Sequence, residues 1–167
     1  RNNRGLHRRR GRRSVVTQAS EGGKAMRHDL VLRVVAKLLI PFIVLFALYV
    51  QFHGDFGPGG GFQAGVILAA AFVLYALIFG LASARKVVPE PLVEAMMALG
   101  VLIYAGVGVA GIVLGGNYLD FFVLDPDTII GQHRGIFWVE IGVAVTVSGV
   151  MLKMFYMFAD RGHGEDT

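Results

Sequence analysis

Four apolar stretches decide what this chain can fold into: Leu30–Phe52, Phe62–Ala82, Leu92–Leu114 and Ile136–Ala159. Each supplies roughly the 20 residues that a helix needs to cross a hydrocarbon core about 30 Å thick. Strands of a membrane barrel would be about half as long and would alternate apolar with polar residues; these stretches do not alternate. Charged residues make up 17% of the chain and apolar ones 54%, whereas a soluble domain carries about 25% charged residues. The expected fold is therefore an all-α integral membrane protein, a bundle of four transmembrane helices. Residues 26–160 form the membrane domain, flanked by a basic extension at 1–25 and a short polar tail at 161–167. With no cysteine in the sequence, disulfides, Cys-ligated iron–sulfur clusters, c-type haem and Cys-based zinc sites drop out. No histidine pair sits at matching helical depth for a bis-His haem. No cofactor, no metal and no catalytic residue is expected, and the chain does not read as an enzyme.

The charges fix the expected orientation. Residues 1–33 hold ten Arg or Lys, including Arg8, Arg9, Arg10, Arg12 and Arg13. Such a run can bind nucleic acid, but basic residues ahead of a first membrane helix also hold that end in the cytoplasm, and the second reading is preferred; nucleic acid is not an expected partner. Arg85, Lys86, Lys153 and Arg161 fall on the same side, while the other carries Arg134 with Asp55, Asp120, Asp125 and Asp127. Both termini are expected in the cytoplasm, in a multi-pass protein of the inner (cytoplasmic) cell membrane. The first stretch is too long for a cleavable signal and lacks a small-residue cleavage site. Residues 1–25, without an acidic residue before Glu21, are expected to be flexible and peripheral.

Small residues line the helices. Gly61, Gly65, Ala69, Ala76 and Gly80 share a face of the second stretch, and Gly100, Tyr104, Gly108, Gly111 and Gly115 share one of the third. Gly142, Thr146, Gly149 and Lys153 align on the fourth. In lipid, helices associate through close backbone approach rather than water exclusion, and small residues permit it. These faces are expected to pack partly within the chain and partly on other subunits.

Between the first two stretches runs His53-Gly54-Asp55-Phe56-Gly57-Pro58-Gly59-Gly60-Gly61-Phe62-Gln63-Ala64-Gly65. It lacks the Gly-Lys-Ser/Thr of a phosphate loop and follows no strand, so nucleotide-binding readings fail. Pro58 fixes φ, the glycines after it admit backbone angles closed to other residues, and a helix must start immediately afterwards. The run QFHGDFGPGGGFQAGVILAAAFVLYALIFG, together with LRVVAKLLIPFIVLFALYVQFHG before it, resembles the MnhB/MrpB family of the Mrp-type multisubunit sodium/proton antiporters. The element His53, Gly54, Pro58, Gly59, Gly60, Gly61, Phe62, Gly65 carries the likeness, which extends over residues 27–160. The resemblance implies a four-helix accessory subunit in a cation (Na+)/proton antiporter complex. It also implies partners that include large complex I-like subunits, and Na+ and H+ as the transported ions. The same resemblance leaves open an alternative, the equivalent membrane subunit of an energy-converting oxidoreductase such as a membrane-bound hydrogenase.

Ionisable residues at membrane depth are costly and are candidates for an ion path. Lys37 is followed four residues later by Pro41, expected to kink the helix and to leave the Lys37 carbonyl without its usual donor; Lys37 can also snorkel to headgroups. His53 opens the signature loop and can relay protons or simply brace the loop. Glu140, one turn into the fourth stretch, can carry a proton or Na+, or can sit there for the dipole of its own helix. Glu94 is assigned the dipole role at the third stretch. Asp125-Pro126-Asp127 lacks the further ligands of a calcium loop and reads as an exposed turn. One turn of helix rises about 5.4 Å, so Lys37, His53 and Glu140 cannot form one compact cluster.

The orientation is open to test by cysteine labelling in intact cells. A thiol placed at Lys86 should react only after the membrane is permeabilised, and one placed at Tyr118 should react from outside. Labelling of position 86 from outside would reverse the topology.

Overall fold

The computed structural model describes residues 30–54, 57 and 59–164. The basic extension, the last three residues of the tail, and Asp55, Phe56 and Pro58 of the signature loop lie outside the described residues. In chain order the helices are α1 (Leu30–His53), α2 (Gly61–Phe79), a short α3 (Leu81–Val87), α4 (Glu90–Val113) and α5 (Thr128–Gly164), with one 3-10 turn at Phe121–Leu124 before α5. α1, α2, α4 and α5 are each long and apolar enough to cross a membrane. The chain is all-α, and no strand occurs among the described residues. Contacts divide it into two units, residues 1–37 and 38–167. Of the first, the described part is Leu30–Lys37, the opening turns of α1, in which Ala36 is buried and the neighbouring apolar side chains are exposed. Helical structure continues through Pro41.

Three element ends differ from the apolar stretches, each for a local reason. The second stretch reads as one helix to Ala82, but Gly80 stands at φ +90° and divides it into α2 and α3. Only glycine adopts that angle cheaply, so Gly80 ends the small-residue face instead of extending it. α4 closes at Gly115, φ +92°, where Gly115 N–H donates to Ile112 O and Gly116 N–H to Gly111 O, both at 3.0 Å. This paired closure is a Schellman motif. α5 starts at Thr128, well before the apolar residues begin at Ile136, because Asp127 Oδ1 accepts the Ile129 amide at 3.0 Å and caps the helix. Asp125 Oδ1 accepts from Asp127 N at 3.1 Å, and Asp125 Oδ2 pairs with Arg134 at 2.5 Å. The Asp125-Pro126-Asp127 turn thus serves as a helix start, and the polar residues Gln132, His133 and Arg134 are helical.

α5 packs against α2 along one face and against α4 along another. Toward α4, its backbone lies on glycine. A Cβ added to Gly100 would collide with Thr146 Oγ1 and lie 2.5 Å from Gly142 O, and one added to Gly142 would lie 2.8 Å from Gly100 O. Two turns along, Gly149 faces Met97 and the Val93 carbonyl. Toward α2, a Cβ on Gly65 would lie 2.7 Å from Ala144 O, and Ser148 Oγ donates to Gly65 O at 3.0 Å and to Ala144 O at 2.7 Å. The small-residue faces of the sequence are therefore used inside the chain. Bulky side chains such as Leu77, Leu102 and Val113 point outward, the arrangement a bilayer or a neighbouring membrane subunit accommodates.

Two glycines of α4 give a matched test. Gly100→Ala forces α4 and α5 apart and should cost about 1–3 kcal/mol, the usual penalty of overpacking. Gly106, whose Cβ would meet nothing within 4 Å, should accept alanine without loss. Complex yield on blue-native gels should fall for the first variant only; equal yields would contradict the glycine-mediated α4–α5 contact.

Candidate functional site

The signature turn is built by folding back on α1. The Gly57 amide donates to His53 O at 3.1 Å and the Gly60 amide to Val50 O at 3.4 Å. A Cβ on Gly59 would lie 2.8 Å from Val50 O. Gly60 stands at φ +127° and ψ 176° as the residue before α2, a conformation essentially reserved for glycine. Gly61 then opens α2 flat against α5, where an added Cβ would overlap the Glu140 carbonyl. Phe62 is 60% exposed and points away from this contact.

Glu140 is the side chain that fills the turn. Cβ atoms placed on Gly54 and Gly60 would each lie 3.1 Å from one of its carboxylate oxygens, Oε2 and Oε1 respectively, and the Gln63 Oε1 lies near the same Gly60 position. The start of α5 at Thr128 overturns the placement of Glu140 in a first helical turn: it lies about three turns into α5, so the dipole of its own helix is not what it serves. It lies instead at the N-terminus of α2. No side chain of the cap residue bonds the first α2 amides, and a negative charge there is favoured by the helix dipole.

The other two candidates are placed differently. The His53 ring stacks on Tyr49, with centroids 5.2 Å apart and planes inclined by 13°, and its carbonyl holds the turn through Gly57. His53 and Glu140 therefore flank the same turn. Lys37 is exposed and belongs to the first unit.

The sequence pattern missed Gln51. It is 7% exposed, and among the described residues neither its Oε1 nor its Nε2 has a hydrogen-bond partner. Stranding a buried polar group costs about 1–3 kcal/mol. The available signal was its spacing: Gln51 follows the buried Ala47 by four residues and so shares its face.

A second polar cluster lies at the opposite end of α5. Lys153 Nζ reaches Glu94 at 2.7 Å and Glu90 at 3.4 Å; Arg85 reaches Asp160 at 2.5 Å and Glu90 at 3.2 Å. Tyr156 donates to Val88 O at 2.9 Å beneath the Arg85 guanidinium. The hydrogen bond to Asp160 holds Arg85 above its ordinary pKa. Glu94 is beyond the first turn of α4, which starts at Glu90; it serves as an ion-pair partner and does not cap the helix.

The turn geometry predicts graded damage. Gly61→Val sets a branched side chain against the Glu140 backbone, and Gly60→Val forces a non-glycine residue to φ +127° at about 1–3 kcal/mol. Both should lower the yield of intact complex on blue-native gels, with Gly61→Val the more severe. Normal yield for both would refute a close-contact role for these glycines.

Comparison with known proteins agrees with this architecture. Residues 31–153 match the family described as a domain related to the MnhB subunit of Na+/H+ antiporter. The chain is 32% identical over 130 residues to the B-subunit of the Na(+)/H(+) antiporter from Alkalihalophilus pseudofirmus, covering 72% of this chain and 90% of that one. It is 30% identical over 132 residues, 76% of this chain and 92% of the relative, to a Staphylococcus haemolyticus protein provisionally named antiporter subunit mnhB2. A counterpart from Staphylococcus aureus (strain Newman) is 30% identical over 130 residues, 72% and 92% of the two chains.

Proposed function

We propose, for a chain that belongs to the MnhB-related family of Na+/H+ antiporter subunits, that it is an accessory membrane component which braces the complex and brings one carboxylate to its ion path. The chain is a subunit of a multisubunit Na+/H+ antiporter, a transporter component rather than a catalytic enzyme. The matches are to antiporter subunits, so the alternative of an oxidoreductase-linked subunit is not favoured. Its setting is a multi-pass position in the inner cell membrane with both termini in the cytoplasm. Its partners are the other antiporter subunits, the large complex I-like ones included, and the transported ions are Na+ and H+.

The observation that carries the ion-path reading is the position of Glu140, whose carboxylate lies against the glycine backbone of the signature turn. A carboxylate at this depth can exchange a proton or hold Na+. His53, on the same turn, supplies an imidazole that can donate and accept a hydrogen bond. Lys37, on the cytoplasmic side by the charge pattern of the sequence, is a separate step. These groups act as stations on a route completed by neighbouring subunits.

Neutral substitutions separate a path from a scaffold. Lys37→Ala, His53→Ala and Glu140→Gln should each assemble. Glu140→Gln should lower Na+-driven proton exchange in membrane vesicles severalfold after correction for complex abundance. Normal exchange by all three variants would leave the chain a structural subunit.

A further inference from the structure

We infer that the groove between α2 and α5 is a binding site for an anionic phospholipid, with one acyl chain along the groove and the phosphate at Arg161. The groove runs between residues 66–73 of α2 and 151–158 of α5, holds about 380 Å³ and is lined by apolar side chains throughout. The buried Ala69 contributes to its floor, and Met151, Met154 and Phe158 stand exposed along it. Arg161 follows Phe158 by three residues and Met154 by seven, so it continues the same face of α5. It is exposed, and among the described residues no carboxylate pairs with it. The opposite face of this end of α5 carries Lys153, Tyr156 and Asp160, and its charges are already paired: Lys153 with Glu90 and Glu94, Asp160 with Arg85. At this end of α5, an unpaired charge is left only where the groove stops.

The dimensions fit one acyl chain. Half of a hydrocarbon core about 30 Å thick is about 15 Å, and the ten residues from Met151 to Arg161 rise about 15 Å along α5. A phosphate at the guanidinium therefore sets the far end of the chain level with Met151, where the groove begins. A helix of a neighbouring subunit is a poorer occupant. With its side chains it is about 10–12 Å across, and it packs best on small residues. Gly61 and Gly65 of α2 are already covered by α5, which leaves Ala70 as the one small exposed residue lining the groove. The flexible thioethers of Met151 and Met154 adapt instead to a thin, mobile chain. Arg161 selects the headgroup: a guanidinium donates two parallel hydrogen bonds to a phosphate, and its unpaired charge favours a lipid of net negative charge. One basic residue near an anionic bilayer surface corresponds to about fivefold in affinity. The site stands whether or not ions pass through this subunit.

The test uses the intact complex, stripped of lipid in detergent and titrated with phosphatidylglycerol or phosphatidylcholine, with retained lipids counted by native mass spectrometry. The unmodified complex should retain one phosphatidylglycerol per copy of this chain that Arg161→Gln binds only at about fivefold higher lipid concentration. Arg161→Lys should keep most of the preference for phosphatidylglycerol, because the charge remains. Ala70→Phe, which fills the groove from an exposed position, should lose the same molecule with Arg161 intact. Lys86→Gln removes another exposed cation, on α3, which does not line the groove, and should retain the lipid. Equal losses in Arg161→Gln and Lys86→Gln would mean diffuse attraction between basic residues and the bilayer, and would overturn the site. Equal retention of the two lipids by the unmodified complex, or retention unchanged in Arg161→Gln, would leave only ordinary bilayer contact and overturn it as well. Cryo-electron microscopy of the unmodified complex in phosphatidylglycerol nanodiscs gives a readout that needs no variant. Density of acyl-chain width along the groove, ending at Arg161, is expected; a helix of a neighbouring subunit in its place refutes the lipid site.

Discussion

The fold hangs on how closely one helix lets two others approach its backbone. α5 meets glycine on both flanks: Gly100 on α4 lies against Gly142 and Thr146, and Gly61 and Gly65 on α2 lie against Glu140 and Ala144. In lipid there is no release of water to draw helices together, so packing contact and hydrogen bonds supply the attraction. Glycine at these crossings brings peptide groups within reach of one another and of Ser148, whose hydroxyl bonds the Gly65 carbonyl across the α2–α5 interface. The large side chains are left free to point outward.

This backbone contact also sets the chemistry. Because α2 must begin where it touches α5, the glycine turn comes down on the one residue of α5 that carries a carboxylate at that level. The Glu140 carboxylate lies at the start of α2, where a Cβ on Gly54 or Gly60 would crowd it. At the far end of α5, Lys153 and Arg85 draw together Glu90, Glu94 and Asp160. The central helix is thus fixed by backbone contact along its length and by charge at its end, with the polar groups gathered at two levels.

What was legible in the sequence follows from the range of the forces involved. Apolar length is a local property, so the four spanning helices and the all-α class could be read directly. So could the small-residue faces, because helical periodicity is local too. The start of α5 could not be read from hydropathy, because an Asp127 cap extends the helix through residues no apolar count would include. Gly80 looked like one more small residue on a stripe; its φ of +90° is a consequence of where the chain must turn toward α4. The partnership of Glu140 with Gly54 and Gly60 joins residues distant in sequence, and no spacing rule reaches that far. Gln51 escaped notice for a related reason: a single amide near the end of an apolar run gains meaning only from what surrounds it.

The central claim, that α4 and α5 are held by direct contact between glycine backbones, can be measured without altering a residue. Solid-state NMR of the intact complex, with 13C-labelled glycine incorporated into this chain alone, reports only contacts between glycines. Gly100 and Gly142 lie on different helices and should give a strong through-space cross-peak between the Gly100 Cα and the Gly142 carbonyl carbon. Absence of that cross-peak, with sequential glycine contacts such as Gly115–Gly116 still present, would contradict the account.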